Sequence, residues 1–417
     1  MMNSMRITAF LRLISVGVIL ATGLVLSQQR AASDWPQFRG PNRDGVAGAF
    51  EAPQRWPDSL VRQWKVEVGA GHASPILVRN RVYTFTRRGE REVMQALDAT
   101  TGKAIWESGY NAPVTVNPAA KDHGPGPKST PTFADGRIYT LGMGGIVTAF
   151  DASKGNIIWQ VPGGSVLPLF GTSASALIDR GLVILHVGGH DKGALTAFDA
   201  MTGKPRWSWS GDGPSYASAV IADIDGVRQV ITLTQKNVVA LSADTGSLLW
   251  QRPFSTEYDQ NIITPVVTGR TVIIAGYQKP TAALVITKKG TSWTVDEAWS
   301  NPAVSLYMAD AVTAGGLLFG LSHRNSGQYF LLDLKTGKTT WTGQPRQAEN
   351  AAIVRANDVI FALEDDAELV VGKAGSEGFQ ELKRYKVADT DTWAQPVISG
   401  NRIFVKDAAT LALWTLR

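Results

Sequence analysis

The stretch ALDATTGKAIW (residues 96–106) returns four more times, as AFDASKGNIIW (149–159), AFDAMTGKPRW (197–207), ALSADTGSLLW (240–250) and LLDLKTGKTTW (331–341). Each copy reads as the end of one β-strand, a tight turn around Thr-Gly or Lys-Gly, and the start of a second strand that carries Trp. Glycine stands where the turn needs positive φ, and apolar residues alternate on both sides with the period of strands. One such hairpin cannot bury its own apolar face, but stacked copies can.

Taking Trp as the marker of each copy gives Trp64, Trp106, Trp159, Trp207, Trp250, Trp299 and Trp341, with Tyr385 at the equivalent place in a degenerate copy. The intervals of 42 to 53 residues leave room for four short strands, the period of a β-propeller blade. A shorter strand pair precedes the hairpins, beginning at Ser74, Thr130, Ser175, Thr264, Asp310 and Ala351. From Gln395 the chain supplies three strands and lacks a fourth. The segment RQWKVEV (62–68) has the outer-strand pattern with no strands before it. Pairing these two ends closes a ring and removes two exposed sheet edges. The expected architecture is therefore all-β, a single eight-bladed propeller of four-stranded antiparallel blades. Uneven spacing is also compatible with an open solenoid or paired sandwiches, although these need no complementary ends.

Residues 1–33 stand outside the repeat. Arg6 and Arg12 precede an apolar stretch over 13–26, and Ala31, Ala32 and Ser33 are small residues suited to signal-peptidase cleavage; an uncleaved anchor is the alternative. The expected division is a leader over 1–33, an irregular cap or linker over 34–61 with Trp35 and Phe38 packed on the ring, and the propeller over 62–417. These features predict a bacterial periplasmic or secreted protein. With no Cys, the chain has no thiol for lipid anchoring, disulfides, a thiolate metal site or a Cys nucleophile. Three of the 41 basic residues and none of the 36 acidic ones lie in residues 1–33, so the remainder carries a net charge near +2. Nucleic acid calls for more concentrated basic charge.

The repeated motif resembles the pyrroloquinoline-quinone-like (PQQ-like) β-propeller family, whose outer hairpins carry A-x-D-x-x-T-G-x-x-x-W. The segments WPQFRGPNRDG (35–45), HGPGPKSTP (123–131) and WAQPVISGNRIFV (393–405) are similar to an exported bacterial subfamily resembling outer-membrane protein assembly factor B. The resemblance implies that Trp106, Trp159, Trp207, Trp250 and Trp341 are struts packed on a neighbouring blade's turn. Trp64 and Trp299, with Gly102, Gly155, Gly203, Gly246 and Gly337, complete the expected docking set. It also implies two branches, quinoprotein dehydrogenases that hold PQQ and Ca²⁺ over the channel, and cofactor-free scaffolds. The chain departs from the dehydrogenases in lacking their vicinal Cys pair and their added loop length.

Repeat phase places His72, Lys128, Thr172, Tyr216, Asn261, Tyr307, Asn350 and Trp393 at the channel mouth, just before each innermost strand; solvated loop residues are the alternative. For PQQ, Lys128 is suited to pair with a carboxylate and Trp393 to stack beneath the ring, and a second cation is needed that repeat phase does not place. His186 and His190 are four apart, but they straddle a strand end and a glycine turn, so no metal site is expected. Recurrent Asp98, Asp151, Asp199 and Asp333 read as turn caps. Asp223 to Gly226 and Glu364 to Asp366 read as exposed hairpin turns instead of Ca²⁺ loops. The leading expectation is a monomeric, non-catalytic scaffold that binds another envelope or secreted protein without cofactor; the alternative is a PQQ-dependent alcohol or sugar dehydrogenase.

Overall fold

The computed structural model describes residues 34–416, so the expected leader lies outside the described residues. Seven four-stranded antiparallel blades follow one another, the seventh extended by a parallel fifth strand, and the eighth blade is assembled from both ends of the chain. Blade 1 runs from its inner strand Ile76–Val78 to its outer strand Ala104–Asn111, and blade 7 from Ala351–Ala356 to Gly378–Lys386. In blade 8 the strands Val397–Ser399, Arg402–Lys406 and Thr410–Thr415 are completed on the outside by Val61–Glu67. Val61 pairs with Thr415 and Glu67 with Thr410, so the ring is closed by main-chain hydrogen bonds between the two ends.

The repeated sentence builds the outer hairpins. In blade 1, Asp98 Oδ1 accepts the backbone N–H groups of Thr100 at 3.0 Å and Thr101 at 2.8 Å, while Gly102 adopts φ of +70°. Asp151, Asp199 and Asp333 make the same turn-capping bonds. The register then shifts between Ala96 and Leu97, where Ile105 is extra and Trp106 re-enters opposite Ala96. This bulge bends the outer strand and sends Trp106 toward blade 2. There its indole N–H donates to Ala152 O at 3.1 Å, and a Cβ on Gly155 would lie 2.5 Å from the ring. The same contact joins Trp64 to Gly102, Trp159 to Gly203, Trp207 to Gly246 and Trp299 to Gly337. Trp341 meets Gly378 instead of a Thr-Gly turn. Trp250 differs: blade 5 lacks the motif, and its indole donates within blade 4 to Gln229 Oε1 at 2.8 Å.

A second belt runs around the channel at the residues that open each inner strand. Gln395 N–H donates to Ser74 Oγ, Ser74 N–H to Thr130 Oγ1, Thr130 N–H to Ser175 Oγ and Ser175 N–H to Ser218 Oγ. Farther round, Thr264 N–H donates to Asp310 Oδ1. Each short side chain thus satisfies an inner-strand amide of the adjacent blade, where a buried amide without a partner would cost about 1–3 kcal/mol.

The segment before the ring crosses the channel. Trp35 pairs with Leu77 in the inner strand of blade 1, Pro36 O accepts Phe133 N–H in blade 2, and Val46–Ala47 lies parallel to the inner strand of blade 7. Arg39 donates to Ala311 O in blade 6 at 2.7 Å, and Arg43 to Ala176 O in blade 3 at 2.8 Å. A short segment touching inner strands on opposite sides of the ring must span its centre. Trp35 and Arg39 are each 1 % exposed, so the segment packs on the ring as an interior plug. Its place in the channel also leaves the cap and the propeller with a shared core.

Candidate functional site

Connections from each outer strand to the next inner strand, and from each second strand to the third, emerge on one face of a propeller. That face carries the mouth, and the five His residues lie on it or near the strand end leading to it. At the junction of blades 8, 1 and 2, three rings meet edge to face. His123 and Trp393 have centroids 4.6 Å apart, His72 and His123 5.9 Å, and His72 and Trp393 6.5 Å. Burial, followed by the charges of Lys406, His123 and Lys128, pushes the His72 imidazole down to about 3. His123 is also lowered, mainly by burial and then by Lys128. Both rings are therefore neutral near pH 7.

Lys128 Nζ donates to Phe170 O at 3.1 Å, and burial lowers its affinity for a proton. Lys406, wholly buried behind His72, donates to Gly71 O and, at 2.9 Å, to Asp407 O. Burial pushes this ammonium down to about 8. Lys406 is the second cation that the phase-based reading lacked. Its signal was present: Glu364 and Lys406 each end the second strand of their blades, so a buried ionisable residue recurs at one phase.

The rest of the mouth is an aromatic arc. Phe170 N–H donates to Tyr216 Oη at 3.1 Å, and the two rings are 6.0 Å apart. Tyr307 lies 4.7 Å from Tyr277 and donates to Gln260 Oε1 at 2.6 Å; Tyr277 lies 5.0 Å from His323. Burial pushes the Tyr216 phenol up to about 12, with Asp259 and Tyr307 adding to the effect. Three other phase-derived residues turn inward. Thr172 donates to Gly142 O at 2.6 Å, Asn261 spans Thr234 O and Phe254 O, and Asn350 is buried beside Asp365, which accepts its backbone N–H.

His186 and His190 do not converge. His186 is buried with Nε2 donating to Asp212 O at 3.1 Å, whereas His190, Asp191 and Asp259 place candidate ligand atoms within 4.8 Å of one another. Asp191 N–H holds Gln235 Oε1, which aims the Gln235 amide N–H at His190 Nδ1 at 2.8 Å. Nδ1 must then accept, leaving His190 Nε2–H as the donor toward both carboxylates, and a cation would have to displace that proton. Glu364 corrects the reading of 364–366 as an exposed turn: it is fully buried, accepting from Tyr329 Oη at 2.9 Å and pairing with Arg384.

The donor set at the mouth discriminates between possible ligands. Lys128 and Lys406 suit an acid, and Trp393 offers an aromatic face. A Ca²⁺-bound quinone further needs carboxylate or amide oxygens beside those cations. Asp407, adjacent to Lys406, has Oδ1 occupied by the N–H groups of Ala409 and Thr410, and Asn261 donates to main chain through Nδ2 while its buried Oδ1 has no partner. An anionic group is met by Lys128 and Trp393, and the Oδ1 atoms of Asn261 and Asn350 are buried without a partner.

A family described as outer membrane protein assembly factor BamB matches residues 43–226 and 90–343. The chain belongs to this family. The BamB of Yersinia pestis is 24% identical over 262 residues, covering 56% of this chain and 61% of that protein. The dehydrogenase subunit of the quinone alcohol dehydrogenase of Acetobacter aceti is 31% identical over 144 residues, 32% of this chain and 19% of that subunit. The chain thus spans about three fifths of the first relative and about one fifth of the second. Among solved structures, the quinohemoprotein alcohol dehydrogenase of Comamonas testosteroni aligns with a TM-score of 0.66 at 14% identity, over 93% of this chain and 84% of that one. That likeness concerns the fold. Among the described residues, no helix is long and apolar enough to cross a membrane.

Proposed function

We propose that this BamB-family propeller is an exported, non-catalytic scaffold that binds another envelope protein through its mouth face. The carrying observation is the set of groups at the mouth: the partly exposed Lys128 stands with a cluster of aromatic rings, and the charge of the buried Lys406 lies behind them. Such a site recognises an anionic or aromatic group. Family membership supports a task in outer-membrane assembly, and the apolar stretch over 13–26 supports export. The test is affinity capture from envelope extracts with the purified protein as bait, which should retain a defined partner at stoichiometric yield.

The second reading is a PQQ-dependent alcohol or sugar dehydrogenase, favoured by the quinone dehydrogenase relatives and by the buried charge of Lys406 behind the mouth. Titration with PQQ and Ca²⁺, followed by dye-linked alcohol and sugar oxidation, separates the two. Saturable binding with turnover overturns the scaffold reading, and no binding removes the enzyme.

A further inference from the structure

Four cations gather along the channel between the plug and the mouth. Arg39 and Arg43 lie in the plug, and Lys406 and Lys128 stand at the blade 8 to blade 2 side of the mouth. Of these, Arg39 pairs with Asp310 at 3.5 Å, and Asp407 lies next to Lys406 with Oδ1 accepting the N–H groups of Ala409 and Thr410. Lys128 and Arg43 make no ion pair among the described residues; their donors reach carbonyls and, for Arg43, also Gln37 Oε1. Arg43 Nε is buried with no acceptor, and Arg39 Nη1 has the ion-pair contact alone. A low-dielectric channel with an excess of positive charge attracts a negative group at its open end. Arg39 and Arg43 are buried in the plug, whereas Lys128 is partly exposed at the mouth.

We infer that the mouth between blades 8, 1 and 2 binds an acidic segment of a partner protein, with a carboxylate against Lys128 and an apolar flank against Trp393 and His123. This inference rests on the scaffold reading and names the chemistry of the partner. Lys128, Trp393, His72 and His123 are all partly exposed, so a ligand can touch each of them. Lys406 is sealed and contributes field instead of contact. The uncharged imidazoles meet Trp393 edge to face, so the walls beside the cation are aromatic, which favours a carboxylate on an apolar chain over a bare inorganic anion. A nucleic acid would need a track of cations, and the channel offers a point. Binding requires desolvation of Lys128, much of which folding has already accomplished.

The experiment uses the full exported chain and two dye-labelled peptides, Asp-Glu-Phe-Glu-Asp and its neutral counterpart Asn-Gln-Phe-Gln-Asn, read by fluorescence anisotropy. The acidic peptide should bind saturably and more weakly as salt rises. Lys128→Gln should lose at least about tenfold in affinity, Lys128→Arg should retain most of it, and Lys289→Gln, on an exposed hairpin of blade 5, should bind as the parent does. Thermal melts of the variants check that the fold is kept. Equal binding of the neutral peptide, unchanged binding by Lys128→Gln, or full displacement by inorganic phosphate at matched ionic strength would each overturn the inference. Undiminished capture of an envelope partner by Lys128→Gln also overturns it and leaves the scaffold reading standing. Acidic-peptide binding with no envelope partner captured overturns the scaffold reading and leaves the anion site.

Discussion

Arg39 Nη1 lies 3.5 Å from Asp310 Oδ2, and this ion pair joins the N-terminal plug to the inner strand of blade 6 inside the channel. Asp310 is also the belt residue that accepts Thr264 N–H, so one carboxylate ties the plug to two blades. Burial raises its proton affinity, opposed by Arg39 and by Thr264. Removing one partner strands the other in a poorly solvated site. Arg39→Met is expected to cost about 3–5 kcal/mol. Asp310→Asn in the Arg39→Met background should recover part of that loss. Urea unfolding of the two single variants and the double variant measures the coupling, and strictly additive effects would contradict the pairing.

The Trp-glycine docking predicts a contrast between two glycines with similar backbones. Gly203 (φ +71°) and Gly226 (φ +76°) both resist a side chain, but a Cβ on Gly203 would lie 2.7 Å from Trp159 whereas Gly226 faces open space. Gly226→Ala should cost about 1 kcal/mol from conformation alone. Gly203→Ala should cost clearly more, by about 1–3 kcal/mol from overpacking. Chemical denaturation of both variants checks the difference, and equal losses would remove packing from the explanation.

The serine belt gives a third prediction. Ser175 is buried and its Oγ accepts Thr130 N–H at 3.0 Å, so Ser175→Ala leaves an inner-strand amide without a partner. The expected loss is about 1–3 kcal/mol, with faster exchange of the Thr130 amide. Hydrogen-exchange mass spectrometry over residues 129–134 reads this directly, and unchanged exchange there would refute it.

Acid sensitivity follows from His186. Burial, only partly opposed by Asp212, pushes its imidazole down to about 4, so the unfolded chain takes up this proton first as the pH falls. The native state is therefore penalised progressively from about pH 6.5 to about pH 4, and the penalty is constant below that. Its full size is about 3 kcal/mol. His186→Gln, which keeps a donor toward Asp212 O, should lose about 2–3 kcal/mol less than the parent between pH 7 and pH 4.5. Paired denaturation curves at these two pH values decide, and parallel losses would show that His186 does not report the proton.

The repeated hairpin made the ring legible because its requirements are local. A turn cap at Asp98, a left-handed Gly102 and a Trp one bulge later involve neighbours in sequence, and the incomplete ends at residues 62–68 and 395–417 announce their pairing. Trp250 marks where this stopped: its neighbour, blade 5, lacks the motif, so a regular-looking Trp acquires an irregular partner in Gln229. The mouth was legible only as a phase. His72, Lys128 and Trp393 do converge, yet Thr172 and Asn261 at the same phase turn into backbone hydrogen bonds, and Asn350 is buried with its own N–H held by Asp365. Side-chain direction at a loop end depends on which carbonyl of a neighbouring blade is left unsatisfied, and repeat spacing does not encode that.

By itself, then, the sequence determined the blade count, the closing strand and the docking turns, since these rest on periodicity and short-range backbone chemistry. Tertiary structure alone decided that residues 35–47 plug the channel, that Arg39 meets Asp310 and that Lys406 stands behind His72. Those relations join segments far apart in the chain through burial and charge, and their energies exist only once the ring has excluded water from its centre.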